Sequence, residues 1–218
     1  MLKATIFDLD GTLIDSRQDL VDSVNGLLAE LGLPALPDAT VVGFIGEGAA
    51  RLVSRALAAA QPGLEARTGS LMPSWFDHYG KRLLRTTRAF AGIDEVLRAP
   101  PEARAVLTNK PGVFSRQILQ GLGLLPRFRA VVGGDEAARK PSPEGLLRLC
   151  ERLGARPEEA LLVGDSQVDL DTGRAAGVPV CIVGWGLGDV QALRAQRPAH
   201  VVTTTDDLAD LLRRLSAA

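Results

Sequence analysis

Short apolar runs along this chain alternate with stretches whose apolar residues recur at helical spacing. Ala4–Leu9 (ATIFDL), Ala105–Thr108 (AVLT), Ala130–Val132 (AVV), Leu161–Val163 (LLV) and Val180–Val183 (VCIV) are the strand candidates. Each is almost continuously apolar, as a strand covered on both faces must be. Between them the spacing predicts helices. In Pro143–Leu153, for example, Leu146, Leu147, Leu149, Cys150 and Leu153 are expected on one face. Strands alternating with helices predict parallel βαβ units. The expected fold class is α/β, a Rossmann-like parallel sheet core with helices on both faces.

One region breaks the alternation. From about Asp15 to Arg88 only helical patterns are found. Asp19–Leu31 carries leucines and valines at helical spacing and stops at Gly32, with Pro34 beyond. Ala49–Ala60 is alanine-rich and ends at Pro62-Gly63, and Ser74–Arg85 gives a third helix. The block is too long for an ordinary crossover between neighbouring strands. It predicts an inserted all-α cap domain at 15–88, with the core formed by 1–14 and 89–218.

Composition narrows the function classes. Of 218 residues 46% are hydrophobic and 23% charged, and the formal net charge is −1. No field of one sign is available overall for nucleic acid or an anionic membrane. The basic pairs Lys81-Arg82 and Arg213-Arg214 read as solvated helix faces. Cys150 and Cys181 have neither metal-ligand spacing nor the spacing of a redox pair. No stretch is apolar for long enough to span a bilayer, and the first residues run straight into a strand. A cytoplasmic location is expected.

The polar residues at strand ends carry the candidate chemistry. Asp8 and Asp10 close the first strand, and residues two apart in an extended chain point to one side. Two neighbouring acids repel unless something offsets their charge, and a divalent cation is the simplest partner. The plainer alternative is a strand-end turn, since Asp10-Gly11 is a common turn pair. Asp165 ends a second apolar strand, and Asp169 follows one helical turn later. These two acids also suit helix capping, which is compatible with metal binding. Acids at the ends of neighbouring strands meet where open α/β sheets bind ligands. Thr108, Asn109 and Lys110 follow a third strand, and Lys140 follows the fourth. A hydroxyl and an ammonium at that rim suit phosphoryl oxygens, although either residue alone is usually surface decoration.

Together, Asp8-Leu9-Asp10-Gly11-Thr12, Thr108-Asn109, Lys140-Pro141 and Gly164-Asp165-Ser166 with Asp169 resemble the four motifs of the haloacid dehalogenase-like hydrolases, in the family's order. Within the family, Asp8–Ser16, Gly46-Glu47-Gly48-Ala49, Thr108–Pro111 and Gly133-Gly134-Asp135 look most like the phosphoglycolate phosphatase branch. The chain departs from that branch in a shorter Phe90–Ala105 segment and in Trp185.

The resemblance implies a phosphatase that works through an aspartyl-phosphate. It assigns Asp8 as nucleophile, Asp10 as general acid and base, and Thr108 and Lys140 as phosphoryl-binding groups. It implies Mg²⁺ held by the Asp8 carboxylate, the Asp10 carbonyl and Asp165, with Asp169 in support. Asn109, Gly46, Glu47 and Arg51 become the substrate-binding candidates, Arg51 being equally well explained as a solvated helix residue. The insertion is expected to close over the site and read the leaving group. His78 and His200 are expected to be structural or exposed. The expected partner is a small phosphorylated metabolite, acted on by a monomer or homodimer.

Other readings remain open at this level. A phosphosugar mutase uses the same fold, and sugar, amino-sugar, nucleotide or pyrophosphate substrates fit the same motifs. A catalytically retired binding protein is disfavoured by the presence of every expected polar residue. A serine esterase or P-loop enzyme lacks its motif, since the chain has no Gly-x-Ser-x-Gly elbow and no Walker-type loop.

Overall fold

A computed structural model describes residues 1–217 of the chain. Eight strands form: β1 (Ala4–Phe7), β2 (Ile14–Asp15), β3 (Arg88–Ala89), β4 (Arg104–Leu107), β5 (Ala130–Val132), β6 (Ala160–Gly164), β7 (Val180–Val183) and β8 (His200–Val202). Six of them make one sheet in the order β5-β4-β1-β6-β7-β8. Every pairing in it is parallel. Taken in chain order, these strands lie third, second, first, fourth, fifth, sixth, so the winding direction reverses between β1 and β6. At such a reversal the connecting segments diverge and leave a crevice beyond the strand ends.

The chain forms two compact units, one containing Met1–Asp15 and the chain from Ala89 onward, the other Ser16–Arg88. In the first unit the sheet is buried on both sides. Ile6, Ala105, Leu107, Leu162 and Ile182 pack in one cluster with Leu146, Leu149, Cys150 and Leu153 of the helix Glu144–Leu153. The alternate residues Thr5, Phe7, Val106, Leu161, Val163 and Cys181 point to the opposite face and are buried as well. Leu147 departs from its expected place in the helix face. It is 41% exposed, because it sits one residue, about 100°, around the helix from the buried Leu146.

β1 ends at Phe7, before the expected Leu9. The cause is a tight turn in which the N–H groups of Thr12, Leu13 and Ile14 all donate to the Leu9 carbonyl, at 3.3, 3.0 and 3.1 Å. β8 was not expected at all. Its three residues at the sheet edge give too short a pattern to read.

The second unit is built from the helices Arg17–Glu30, Asp38–Val42, Ala49–Ala60 and Thr68–Gly80. The last of these starts well before the expected Ser74 and carries Pro73 inside it. A proline there removes one N–H, whose partner would have been the carbonyl of Gly69. Burial of Leu71, Trp75 and Tyr79 on one face, with Trp75 and Tyr79 stacked at 5.1 Å, outweighs that loss. His78 is not a bystander, since its Nε2 lies 3.0 Å from Glu30 Oε2, which also accepts the Ser74 hydroxyl at 2.6 Å. Among the described residues no helix is long and apolar enough to cross a membrane.

Candidate active site

Three buried carboxylates converge at the reversal of the sheet. Asp8 follows β1, and its N–H extends the ladder by donating to the Val163 carbonyl of β6 at 2.9 Å. Asp165 comes directly after Gly164, the last residue of β6. Asp169 lies in the first turn of the helix Gln167–Ala176. Its Oδ2 accepts the Ser166 N–H at 3.1 Å and the Ser166 hydroxyl at 2.6 Å, a reciprocal cap that fixes the carboxylate. One oxygen from each of the three acids lies within 4.8 Å of the others.

Lys140 supplies the balancing charge. Its Nζ lies 2.8 Å from Asp8 Oδ1 and 2.6 Å from Asp169 Oδ1, with the lysine side chain only 2% exposed. Despite burial, Asp169 and Asp8 hold this ammonium protonated, its pKa above the usual lysine value. Burial pushes the Asp8 carboxyl up to about 7, Lys140 opposes that rise, and Asp169 and Asp165 add to it. Asp165 is pushed up to about 6, first by burial and then by Asp169, against the Leu187 N–H and the Thr12 hydroxyl. One ammonium among three carboxylates leaves the cluster short of positive charge. An all-oxygen donor set of this kind fits a hard divalent cation such as Mg²⁺.

The loops around these acids are shaped for close approach. Gly11 has φ +85°, and a Cβ there would lie 2.3 Å from Asp165 Oδ2. A Cβ on Gly164 would meet Asp169 Cγ at 2.3 Å. Only glycine allows either backbone to pass so near a carboxylate. Asp165 is then held from two sides, by the Thr12 hydroxyl at 3.1 Å and the Leu187 N–H at 2.7 Å. The Trp185 indole N–H donates to the Thr12 carbonyl at 3.1 Å, which ties the loop after β7 to the turn after β1.

Asp10 is not part of the carboxylate cluster. The turn on Leu9 separates it from Asp8, and its two oxygens each lie 2.9 Å from Lys110 Nζ. Both side chains are largely buried, at 4% exposure for Lys110 and 13% for Asp10. Thr108 is buried just past β4, and its hydroxyl accepts the Lys110 N–H at 3.2 Å. The Asn109 amide brackets Lys140, accepting its N–H at 2.9 Å and donating to its carbonyl at 3.1 Å.

Gly46, Glu47 and Arg51 belong to the helical unit. Glu47 lies 2.5 Å from Arg55 Nη2 and 3.9 Å from Arg51 Nε. Sequence reasoning missed the parts played by Lys110, Arg55, Thr12 and Leu187. Lys110 had one available signal, since it stands two residues beyond Thr108 at the same strand end.

A parallel sheet of this winding, with acids after its first and fourth strands and a buried lysine between them, defines a hydrolase of the haloacid dehalogenase type. The family model for haloacid dehalogenase-like hydrolases matches residues 5–183, and the chain belongs to that family. It is similar to the phosphoglycolate phosphatase of Mesorhizobium japonicum, 38% identical over 219 residues that cover 98% of this chain and 96% of the relative. The phosphoglycolate phosphatase of Rhodospirillum rubrum is 42% identical over 196 residues, 85% of this chain and 81% of its own. In structure the chain is similar to a predicted phosphoglycolate phosphatase from Haemophilus somnus 129pt, with a TM-score of 0.89 and 30% identity over 96% of this chain and 97% of the other.

Proposed function

We propose that this chain is a magnesium-dependent phosphatase that hydrolyses 2-phosphoglycolate through an aspartyl-phosphate on Asp8. The observation that carries the reading is the buried Asp8–Lys140–Asp169 arrangement beside Asp165 at the reversal of the sheet. The substrate assignment is supported by the relatives named phosphoglycolate phosphatase.

In this reading an Asp8 carboxylate oxygen attacks phosphorus, and a new P–O bond forms as the bond to the leaving alcohol oxygen breaks. Asp10 gives its proton to that oxygen. It then takes a proton from the water that attacks the phosphorus of the acyl phosphate, which frees inorganic phosphate and regenerates Asp8. Lys140 orients Asp8 and, with Thr108, receives the phosphoryl oxygens, since phosphoryl transfer depends mainly on positioning and charge stabilisation. Asp8, Asp165 and the Asp10 carbonyl would hold Mg²⁺, with Asp169 fixing Lys140 next to it. The bound ion supplies the positive charge that lets the carboxylates coexist with an anionic substrate.

A panel of phosphorylated metabolites that includes 2-phosphoglycolate, assayed for free phosphate with and without magnesium, tests this function. Preferred release from 2-phosphoglycolate is expected. Conversion of one sugar phosphate to another without free phosphate would make the chain a mutase instead.

A further inference from the structure

Arg104 is 6% exposed, and among the described residues its side chain has a single bonding partner, the Ala99 carbonyl, to which Nη2 donates. A guanidinium carries five donors and never loses its charge in a protein, so such burial without a carboxylate needs an explanation. Burial, with Arg127 adding to it and Glu102 opposing, holds its pKa below the usual arginine value. Arg104 lines a cavity of about 420 Å³ whose other walls are Leu97, Arg98, Glu102, Pro126, Arg127, Phe128 and Arg129. Four arginines and one glutamate therefore stand among its lining residues. Of the four, only Arg98 has an acid partner, Glu95 at 3.4 Å, among the described residues.

The walls are built rather than incidental. The Arg129 N–H donates to the Arg104 carbonyl at 2.8 Å, which fixes the two arginines side by side. Phe128 is anchored by an edge contact with Phe7, ring centroids 6.3 Å apart. Phe128, Leu97 and Pro126 are the apolar members of the lining. The volume lies within the range of small-molecule sites. Arg104 opens β4 and Thr108 follows its last residue, so the cavity is at the far end of that strand from the carboxylate cluster, roughly 13 Å away along the chain.

We propose that this cavity is a second ligand site, for a small polyanion that carries two phosphoryl groups and a flat apolar part, as a nucleoside diphosphate does. Arginines bind such groups in pairs of parallel hydrogen bonds, and a largely desolvated guanidinium in the lining makes each bond stronger. Phe128 and Pro126 in the lining offer the apolar contact for the ring. The net charge of the chain conceals the site, because its arginines are balanced by acids elsewhere.

Isothermal titration of the full chain with ADP and with inorganic pyrophosphate, in chelator to prevent turnover, tests the proposal. Saturable one-to-one binding is expected, tighter for ADP than for pyrophosphate. The exposed pair Arg127→Ala/Arg129→Ala should weaken ADP binding by about tenfold or more while phosphatase activity is unchanged. Arg104→Met should also lose binding, with a melting temperature equal to or above that of the parent, because a costly buried charge has been removed. Absence of saturable binding, or equal ADP affinity in the parent and the double variant, would overturn the proposal.

Discussion

Lys110 Nζ lies 2.9 Å from each carboxylate oxygen of Asp10, which holds the proposed general acid and base by both oxygens at once. The lysine comes from the loop after β4 and the aspartate from the turn after β1, so the contact fixes one loop against the other. Lys110→Ala should lower kcat by about 10- to 100-fold with little change in KM, because the proton donor loses its position while the nucleophile keeps Lys140. Lys110→Arg should restore part of the rate. Steady-state kinetics on both variants checks this, and a loss confined to KM would assign Lys110 to substrate binding instead.

Within the helical unit, Asp19 is fully buried and is the acceptor for the segment that follows Arg85. Its carboxylate takes the Thr87 N–H at 2.8 Å, the Thr86 N–H at 3.1 Å and both threonine hydroxyls at 2.7 Å. Burial alone would raise its pKa; the Thr87 and Thr86 bonds outweigh that and hold it below the ordinary 3.8. A depressed carboxyl contributes stability above its unfolded value and loses it as pH falls through the folded one. Asp19→Asn should therefore cost about 2 kcal/mol near neutral pH, and the difference from the parent should shrink in acid. Thermal unfolding at several pH values measures both effects.

The acid cluster behaves in the opposite sense. In chelator, Asp8 moves from 3.8 to about 7 and Asp165 from 3.8 to about 6 on folding. The folded state then binds more protons than the unfolded one. The cluster's own contribution to the stability of the metal-free protein is therefore greatest in acid and falls as pH rises from about 4 to about 7. Magnesium should raise the melting temperature more at about pH 8 than at about pH 5, where it must displace protons. An equal rise at both values would mean that the ion binds elsewhere.

Much of this was legible in the sequence because the relevant signals are local. Short apolar runs marked β1, β4, β5, β6 and β7; Asp8 and Asp165 stand directly after β1 and β6, Asp169 lies in the helix turn beyond Asp165, and Lys140 lies in the segment after β5. What the sequence hid depends on backbone direction. Asp8 and Asp10 were expected to face one point, but the turn on the Leu9 carbonyl sends them to different lysines. Asn109 was expected at the substrate, and its amide also brackets the backbone of Lys140, 31 residues away. No spacing rule reveals a bracket formed between two loops. The helix expected at Ser74–Arg85 lies instead at Thr68–Gly80, where buried Leu71 and Trp75 carry it through Pro73.

The central claim is that Asp8 itself becomes phosphorylated. Rapid acid quench of the working enzyme, followed by mass spectrometry of its peptides, addresses it directly. The account predicts a phosphoryl group on the peptide containing Asp8, lost on incubation with hydroxylamine and absent from Asp8→Asn together with turnover. A phosphoryl group on another residue, or full turnover in Asp8→Asn, would contradict it.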